Sequence, residues 1–107
     1  MNITFISEPV PELTITGGNL TALGLTTDTP IRLVLRDNTL SVTTVIDEAE
    51  WKALCEASQQ WQNLGADWVR ENGKMIIGGD WLTGIGITEA GQLEITAALG
   101  VIRLQRR

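Results

Sequence analysis

Residues 13–42 read LTITGGNLTALGLTTDTPIRLVLRDNTLSV, and residues 75–104 read MIIGGDWLTGIGITEAGQLEITAALGVIRL. The two stretches align without a gap at an offset of 62 positions. Identical residues include Gly17 with Gly79, Leu20 with Leu82, Thr21 with Thr83, Gly24 with Gly86 and Thr26 with Thr88. Apolar pairs are Leu13 with Met75, Ile15 with Ile77, Leu23 with Ile85, Leu25 with Ile87, Ile31 with Leu93, Leu33 with Ile95, Leu40 with Ile102 and Val42 with Leu104. A fixed internal offset is typical of repeated structural units, so the sequence predicts an internal duplication.

The length of the chain limits how the two copies fold. At 107 residues the chain is large enough for one modest core and too small for two independent ones. We therefore expect a single domain, 1–107, in which both copies share one core. The predicted organisation is a first repeat over about 2–45, a linking helix over about 47–64 and a second repeat over about 66–105.

Each copy has the same predicted order of elements. A short strand (12–16 and 74–77) is followed by a glycine pair and a compact helical turn that ends at Gly24 or Gly86, where a left-handed residue is expected. Two further strands follow, and Asp37-Asn38 is suitable chemistry for the hairpin turn between the first such pair. Asn72-Gly73 predicts another hairpin, which would join a strand over 67–70 to the second copy.

The segment between the copies contains the helix. Asp47 with Glu50 three positions later is the pattern of a capping box. Trp51, Leu54 and Trp61 then recur at helical spacing, which predicts that both tryptophans dock the helix. Acidic residues give the helix an acidic flank, which is either a solvated face or a surface for a basic protein partner: Asp47, Glu48, Glu50 and Glu56.

Charge and composition limit the classes of function. The net charge is −5, so any nucleic-acid binding must depend on a local basic patch. Arg32 and Arg36 lie four residues apart in one predicted strand and therefore on one face; with Arg103 they are the candidate nucleic-acid contacts, and the structural alternative pairs the first two with Asp28 or Asp37.

The residue content also excludes several kinds of site. The chain has no histidine and one cysteine, Cys55, so no disulfide, metal site or cofactor is expected. No apolar run approaches the roughly 20 residues that cross a bilayer, so we expect no membrane partner and a cytoplasmic location.

The motif in the second copy carries a family resemblance. Residues 79–87, GDWLTGIGI, resemble the central motif of the SymE toxin family, and residues 17–25 match it without the tryptophan. The unit as a whole is similar to the AbrB-type swapped hairpin. The resemblance implies a mainly β fold, a small pseudo-dimeric barrel of two interleaved repeats with one inserted helix. Its motif residues, mainly structural, are Gly79, Trp81, Leu82 and Gly86 in the second copy and Gly17, Leu20 and Gly24 in the first.

The resemblance implies a function in toxin–antitoxin biology. SymE-like proteins are associated with RNA cleavage, so it implies action on RNA or other nucleic acid, and an endoribonuclease by resemblance only, because the sequence shows no catalytic constellation. DNA-binding relatives place arginines after the conserved leucine, where this chain has Thr21-Ala22 and Thr83-Gly84. The alternatives are an acidic protein-interaction module, such as an antitoxin, immunity or phage accessory protein, and an AbrB-like DNA-binding regulator. Homodimerisation of the fused chain stays open. Asp80 is expected to cap the helical turn.

Overall fold

The computed structural model describes residues 2–6 and 11–107. Within them the chain forms eight strands and three α-helices, so the prediction of a mainly β fold is confirmed. The elements are β1 (Asn2–Ile6), β2 (Glu12–Thr16), α1 (Gly18–Ala22), β3 (Pro30–Arg36), β4 (Thr39–Thr44), α2 (Glu48–Ser58), β5 (Leu64–Trp68), β6 (Met75–Ile77), α3 (Gly79–Gly84), β7 (Leu93–Ala98) and β8 (Val101–Arg106). Short 3-10 turns lie at Glu71–Gly73 and Ala90–Gln92.

The strands form two antiparallel sheets. One sheet has the order β1-β2-β6, and the other has the order β5-β3-β4-β8-β7. The described strands do not close into a barrel, because β5 and β7 end the larger sheet on opposite sides. The predicted barrel is therefore replaced by two open sheets.

Both sheets and the two short helices contribute to one hydrophobic core. Strand alternation directs one face of each sheet inward, and the eight apolar pairs predicted from the offset all lie in this core or pack against it. Leu20 of α1 and Leu82 of α3 are fully buried within the same cluster. The hydrophobic pattern of the sequence thus places the core correctly.

Two strand pairings join residues that lie 62 positions apart in the sequence. Thr14 of β2 is opposite Ile76 of β6, and Ser41 of β4 is opposite Arg103 of β8. The β3–β4 and β7–β8 hairpins also share one register, since Ile31 pairs with Thr44 and Leu93 with Arg106.

The turns follow the local sequence. Asp37 and Asn38 have φ of 53° and 61°, as a two-residue hairpin turn of this kind requires. Gly24 and Gly86 have φ of 85° and 75° and end α1 and α3 in the left-handed conformation, as predicted.

Two predictions around the linking segment are wrong. The helix α2 is shorter than the predicted 47–64: it ends at Ser58, whose hydroxyl donates to the Cys55 carbonyl oxygen, and Trp61 lies beyond it with 61% of its surface exposed. Asp47 does cap the helix, because its Oδ1 accepts from the Ala49 amide at 2.8 Å.

The predicted Asn72-Gly73 hairpin reduces to a local turn. Arg70 and Lys74 form an isolated bridge, whereas β5 as a whole pairs with β3. The strand preceding the second copy is therefore added to a sheet that contains the hairpin of the first.

Candidate nucleic-acid interface

The three candidate arginines project from one face of the five-stranded sheet. On β3, Arg32 and Arg36 alternate with inward residues such as Leu33, which is 2% exposed. On β8, Arg103 lies between Ile102 and Leu104, which are both fully buried. Since successive side chains point to opposite faces of a strand, all three arginine side chains project outward from the outer face of the sheet. We call them the arginine face.

The strand register sets the spacing of these arginines. Val34 of β3 is opposite Ser41 of β4, and Ser41 is opposite Arg103 of β8. Arg103 therefore lies two strands from β3, at the level midway between Arg32 and Arg36. With strands about 4.8 Å apart and a rise of about 3.4 Å per residue, its Cα is roughly 12 Å from the Cα of each. The sheet brings together residues that are 67 to 71 positions apart in the sequence.

The arginine face carries positive charge without internal neutralisation. All three side chains are exposed. Among the described residues the structure has one ion pair, between Arg70 and Asp67 at 3.0 Å, so the alternative that pairs the arginines with Asp28 or Asp37 is not observed. The acidic residue that the register places on the outer face is Glu94, which accepts a hydrogen bond from Gln105 Nε2 at 3.2 Å.

The helix α2 borders this face on the side of β5. It packs against β5, with Leu54 and Val45 buried outside the main core. The acidic side chains of α2 are exposed: Glu48, Glu50 and Glu56. The outer sheet surface is thus basic over β3 and β8 and bounded by an acidic helix.

A tryptophan and an arginine that the sequence did not single out as a pair lie at the same border. Trp68 faces outward because it is opposite Pro30, and it is 46% exposed. The Arg70 guanidinium carbon lies 4.2 Å from the centroid of its ring, within the range of a cation–π contact. In the sequence, Trp68 and Arg70 are two positions apart, and this spacing alone does not predict their contact. The contact becomes evident only when the path of the chain at the end of β5 is known.

The motif residues of the resemblance have structural roles. Leu20 and Leu82 are core residues, and Trp81 packs half-buried against the core. Gly79 begins α3. Gly17, Gly24 and Gly86 all have positive φ. The backbone after each short helix bonds back to the leucine that the two copies share. The Leu25 amide donates to the Leu20 carbonyl oxygen at 2.8 Å, and the Ile87 amide donates to the Leu82 carbonyl oxygen at 2.9 Å.

The prediction that Asp80 caps α3 is wrong. Gly78 occupies the cap position, where no side chain is present to accept a hydrogen bond, and Asp80 lies exposed in the first turn. Its charge is still placed favourably, since the amino end of a helix is electropositive. The exposed positions after Leu20 and Leu82, occupied by Thr21, Ala22, Thr83 and Gly84, carry no charge.

The carboxyl-terminal arginines lie beside a separate cleft. This cleft, of about 620 Å³, is lined by the β3–β4 turn, the end of α3 and the end of β8. Arg107 is held there, because its Nε donates to the Leu93 carbonyl oxygen at 3.1 Å. The register directs Arg106 to the opposite side of β8 from Arg103, so the tail does not extend the arginine face.

The exposed guanidinium groups of the arginine face can neutralise phosphate. Across residues 2–6 and 11–107, no three Asp, Glu or Cys side chains are grouped in a way that could hold a metal ion.

Comparison of the chain with known protein families, curated proteins and solved structures finds no match. In the part of the chain that is described, no helix has both the length and the apolar content to cross a membrane.

Proposed function

We propose that this protein binds RNA through the arginine face, as a SymE-like cytoplasmic component of a toxin–antitoxin system. The observation that carries the proposal is the placement of Arg32, Arg36 and Arg103 on one exposed sheet face, free of ion pairs among the described residues. Guanidinium groups bind phosphate through paired N–H donors. Because the net charge is −5, the proposed contact with nucleic acid is confined to this one local surface.

The proposal includes the origin of this surface in an internal duplication of a swapped-hairpin unit. Support comes from the two pairings between positions 62 apart, Thr14 with Ile76 and Ser41 with Arg103. It also comes from the common register of the β3–β4 and β7–β8 hairpins. In this arrangement Arg32 and Arg36 belong to one repeat and Arg103 to the other, so the arginine face exists only where the repeats meet.

Binding, rather than cleavage, is the chemistry that these residues support. The arginines provide charge and hydrogen-bond donors. The chain has no histidine, and the strands described here place one carboxylate, Glu94, on the outer face, so no acid–base pair is seen there. Sequence-specific reading of DNA is less well supported, because Thr21, Ala22, Thr83 and Gly84 lack the charged groups that the turn would need.

The test compares two variants with the same loss of charge under induced expression. The first is Arg32→Ala, Arg36→Ala, Arg103→Ala, which empties the arginine face. The matched control is Lys52→Ala, Lys74→Ala, Arg106→Ala, which removes three exposed cations elsewhere. Growth arrest and RNA capture by the unmodified chain and by the control, with loss of both in the first variant, are the expected results. Equal RNA capture by both variants would refute the proposal.

A second candidate, an acidic protein-interaction module, is favoured by the exposed acidic side of α2. Glu48, Glu50 and Glu56 make no ion pairs among the described residues and lie beside the arginine face. Here we expect Glu48→Gln, Glu50→Gln, Glu56→Gln to abolish a stoichiometric protein complex that survives nuclease treatment. If that complex is absent, or if the substitutions leave it unchanged, this candidate fails.

A further inference from the structure

The two outer strands of the hairpins have different surroundings. The edge of β3 that faces away from β4 is covered by β5. The corresponding edge of β7, which we call the β7 edge, has no partner strand among the described residues, and at its first residue the Leu93 carbonyl oxygen accepts from Arg107 Nε. Strands β3 and β7 correspond at the offset of 62, and so do β5 (Leu64–Trp68) and β1 (Asn2–Ile6). The strand that corresponds to β5 instead pairs with β2.

We propose that the β7 edge is a second binding site for β1 of the same chain, so that β1 exchanges between β2 and β7. This inference rests on the internal duplication proposed above, and it does not depend on nucleic-acid binding. The register follows by shifting the observed β5–β3 pairing, in which Gly65 is opposite Leu33 and Asp67 is opposite Ile31. Ile3 is then opposite Ile95, and Phe5 is opposite Leu93.

This register matches apolar residues on the core side and polar residues outside. Leu93 is buried and Ile95 packs half-buried against the core, so Phe5 and Ile3 would extend the hydrophobic surface across the β7 edge. On the outer side, Thr4 would be opposite Glu94. The present position leaves much of β1 uncovered, since Ile3 is 46% exposed even though it is opposite buried Ile15. Burial of apolar surface therefore favours a second position for Ile3.

At the occupied edge of β3 the strand residue is small and the helix residue is large, whereas at the β7 edge the corresponding strand residue is the larger of the two. At the occupied edge, Gly65 leaves the space in which the Trp81 ring lies, because a Cβ on Gly65 would be 2.5 Å from Trp81 Cζ2. At the corresponding positions the chain has Ile3 in place of the glycine and Asn19 in place of the tryptophan. The larger residue has moved from the helix to the strand, as expected if β1 and the β7 edge are packed together.

The next contact also differs between the two edges. Gly84 of α3 lies against Leu35 of β3, where a Cβ on the glycine would be 2.6 Å from Leu35 Cδ2. The corresponding residues are Ala22 and Ala97, both exposed in the present position of β1. Two small residues thus replace a glycine and a leucine, so no large side chain at this contact obstructs a strand at the β7 edge.

The length of the connection allows the same chain to supply the strand. Leu64 of β5 precedes Met75 of β6 by 11 positions, and Asn2 of β1 precedes Leu13 of β2 by the same number. A spacing of 11 positions is enough for β5 to reach β3 while β6 stays paired with β2. The β7 edge is thus within reach of β1 without a second copy.

Engineered cysteine pairs test the two positions in the full chain. In a Cys55→Ala background, Thr4→Cys with Thr14→Cys reports the β2 position, because these residues are directly opposite. Thr4→Cys with Glu94→Cys reports the β7 position. Thr4→Cys with Glu56→Cys is the control for random collision, since Glu56 is exposed on α2. Facing residues of antiparallel strands are close enough for a disulfide.

Oxidation by glutathione disulfide, which is reduced as each protein disulfide forms, gives the rates. We expect the Thr4–Glu94 pair to form an intrachain disulfide at least tenfold faster than the Thr4–Glu56 control. A rate equal to the control overturns the proposal, and so does a product that links two chains. As a measurement without cysteines, Ile3→Asp should accelerate hydrogen exchange at the β7 amides that face away from β8, by a factor set by the fraction of molecules in which β1 covers them. Unchanged exchange in that variant contradicts the proposal.

Discussion

The contact between Gly65 and Trp81 predicts a substitution whose sign is opposite to the usual one. Alanine in place of glycine within a strand normally stabilises by about 0.5–1 kcal/mol. At position 65 the new Cβ would lie 2.5 Å from Trp81 Cζ2 and 3.2 Å from Cη2. Carbon atoms pack best at about 3.5–4.0 Å, so the ring must retreat by about 1 Å. The indole packs against the core and is rigid, so we expect an overpacking cost of about 1–3 kcal/mol.

The net expectation for Gly65→Ala is a loss of about 1 kcal/mol in the free energy of unfolding, or about 4–8 °C in Tm. Urea unfolding followed by circular dichroism measures it. In a Trp81→Leu background the ring is absent, so the same substitution should show the usual gain of about 0.5–1 kcal/mol, and the double-mutant coupling should be about 1.5–2 kcal/mol.

The control for this prediction is Gly84→Ala. A Cβ there would also be close, 2.6 Å from Leu35 Cδ2, but that atom is the end of a flexible side chain that can rotate away. Alanine also gains up to about 1 kcal/mol within a helix. We expect Gly84→Ala to be near neutral. A Gly65→Ala variant as stable as the unmodified chain, or equally destabilised with and without Trp81, would refute the reasoning.

The other predictions concern binding, a helix end and a helix cap. If Arg32, Arg36 and Arg103 each contact one phosphate, the logarithm of the association constant for single-stranded RNA should fall with the logarithm of salt concentration at a slope of about −2, or roughly 20-fold between 50 and 200 mM. The variant with all three arginines changed to alanine should lose this salt dependence, and an unchanged slope in that variant would contradict the contacts. Gly24→Ala should cost about 1–2 kcal/mol of unfolding free energy, although nothing lies within 4 Å of the new Cβ, because its φ is +85°; an unchanged urea midpoint would show that the backbone tolerates alanine there. Asp47→Ala should cost about 1 kcal/mol by removing the bond to Ala49, with Asp47→Asn retaining most of it; equal losses in both would exclude the cap as the cause.

The core and hairpins could be predicted from the sequence because they depend on local pattern. Alternating apolar residues identify inward positions such as Leu33, and Asp37-Asn38 specifies a turn by its own backbone preference. The pairing of β5 with β3 was not predictable in this way. Asn72-Gly73 forms a tight turn as its sequence suggests, but the partner of a strand depends on which distant edge is available.

The end of α2 and the start of α3 show the limits of spacing arguments. Trp61 continues the helical period of Trp51 and Leu54, yet the chain leaves the helix after Ser58. Periodicity shows which residues would share a face if the helix continued, but it does not show where the helix ends. Here the helix ends at Ser58, whose hydroxyl donates to the Cys55 carbonyl oxygen. Asp80 was expected to cap α3 because of its residue type. The helix instead begins after Gly78, which is the N-cap residue and has no side chain to accept a hydrogen bond.

The candidate site was predictable in part. Arg32 and Arg36 share a face because they lie in one strand, and their spacing shows this directly. The relation of Arg103 to them depends on the β4–β8 pairing, which the sequence contains only as the correspondence of positions 41 and 103. Only the side-chain positions show that all three arginines are exposed and make no ion pair with any other described residue.

The pairing of Ser41 with Arg103 shows what one chain can do that two identical subunits cannot. In a homodimer built from the second repeat alone, each Arg103 would lie opposite its own copy, and two like charges directly across a strand pair repel. A homodimer built from the first repeat would have two serines and no charge at that place. Under the proposed duplication, covalent fusion would let the two halves of a symmetric pairing mutate separately, so that a single cation lies beside the central strand of the sheet. The resulting surface lacks the two-fold symmetry that the same position would have in a homodimer.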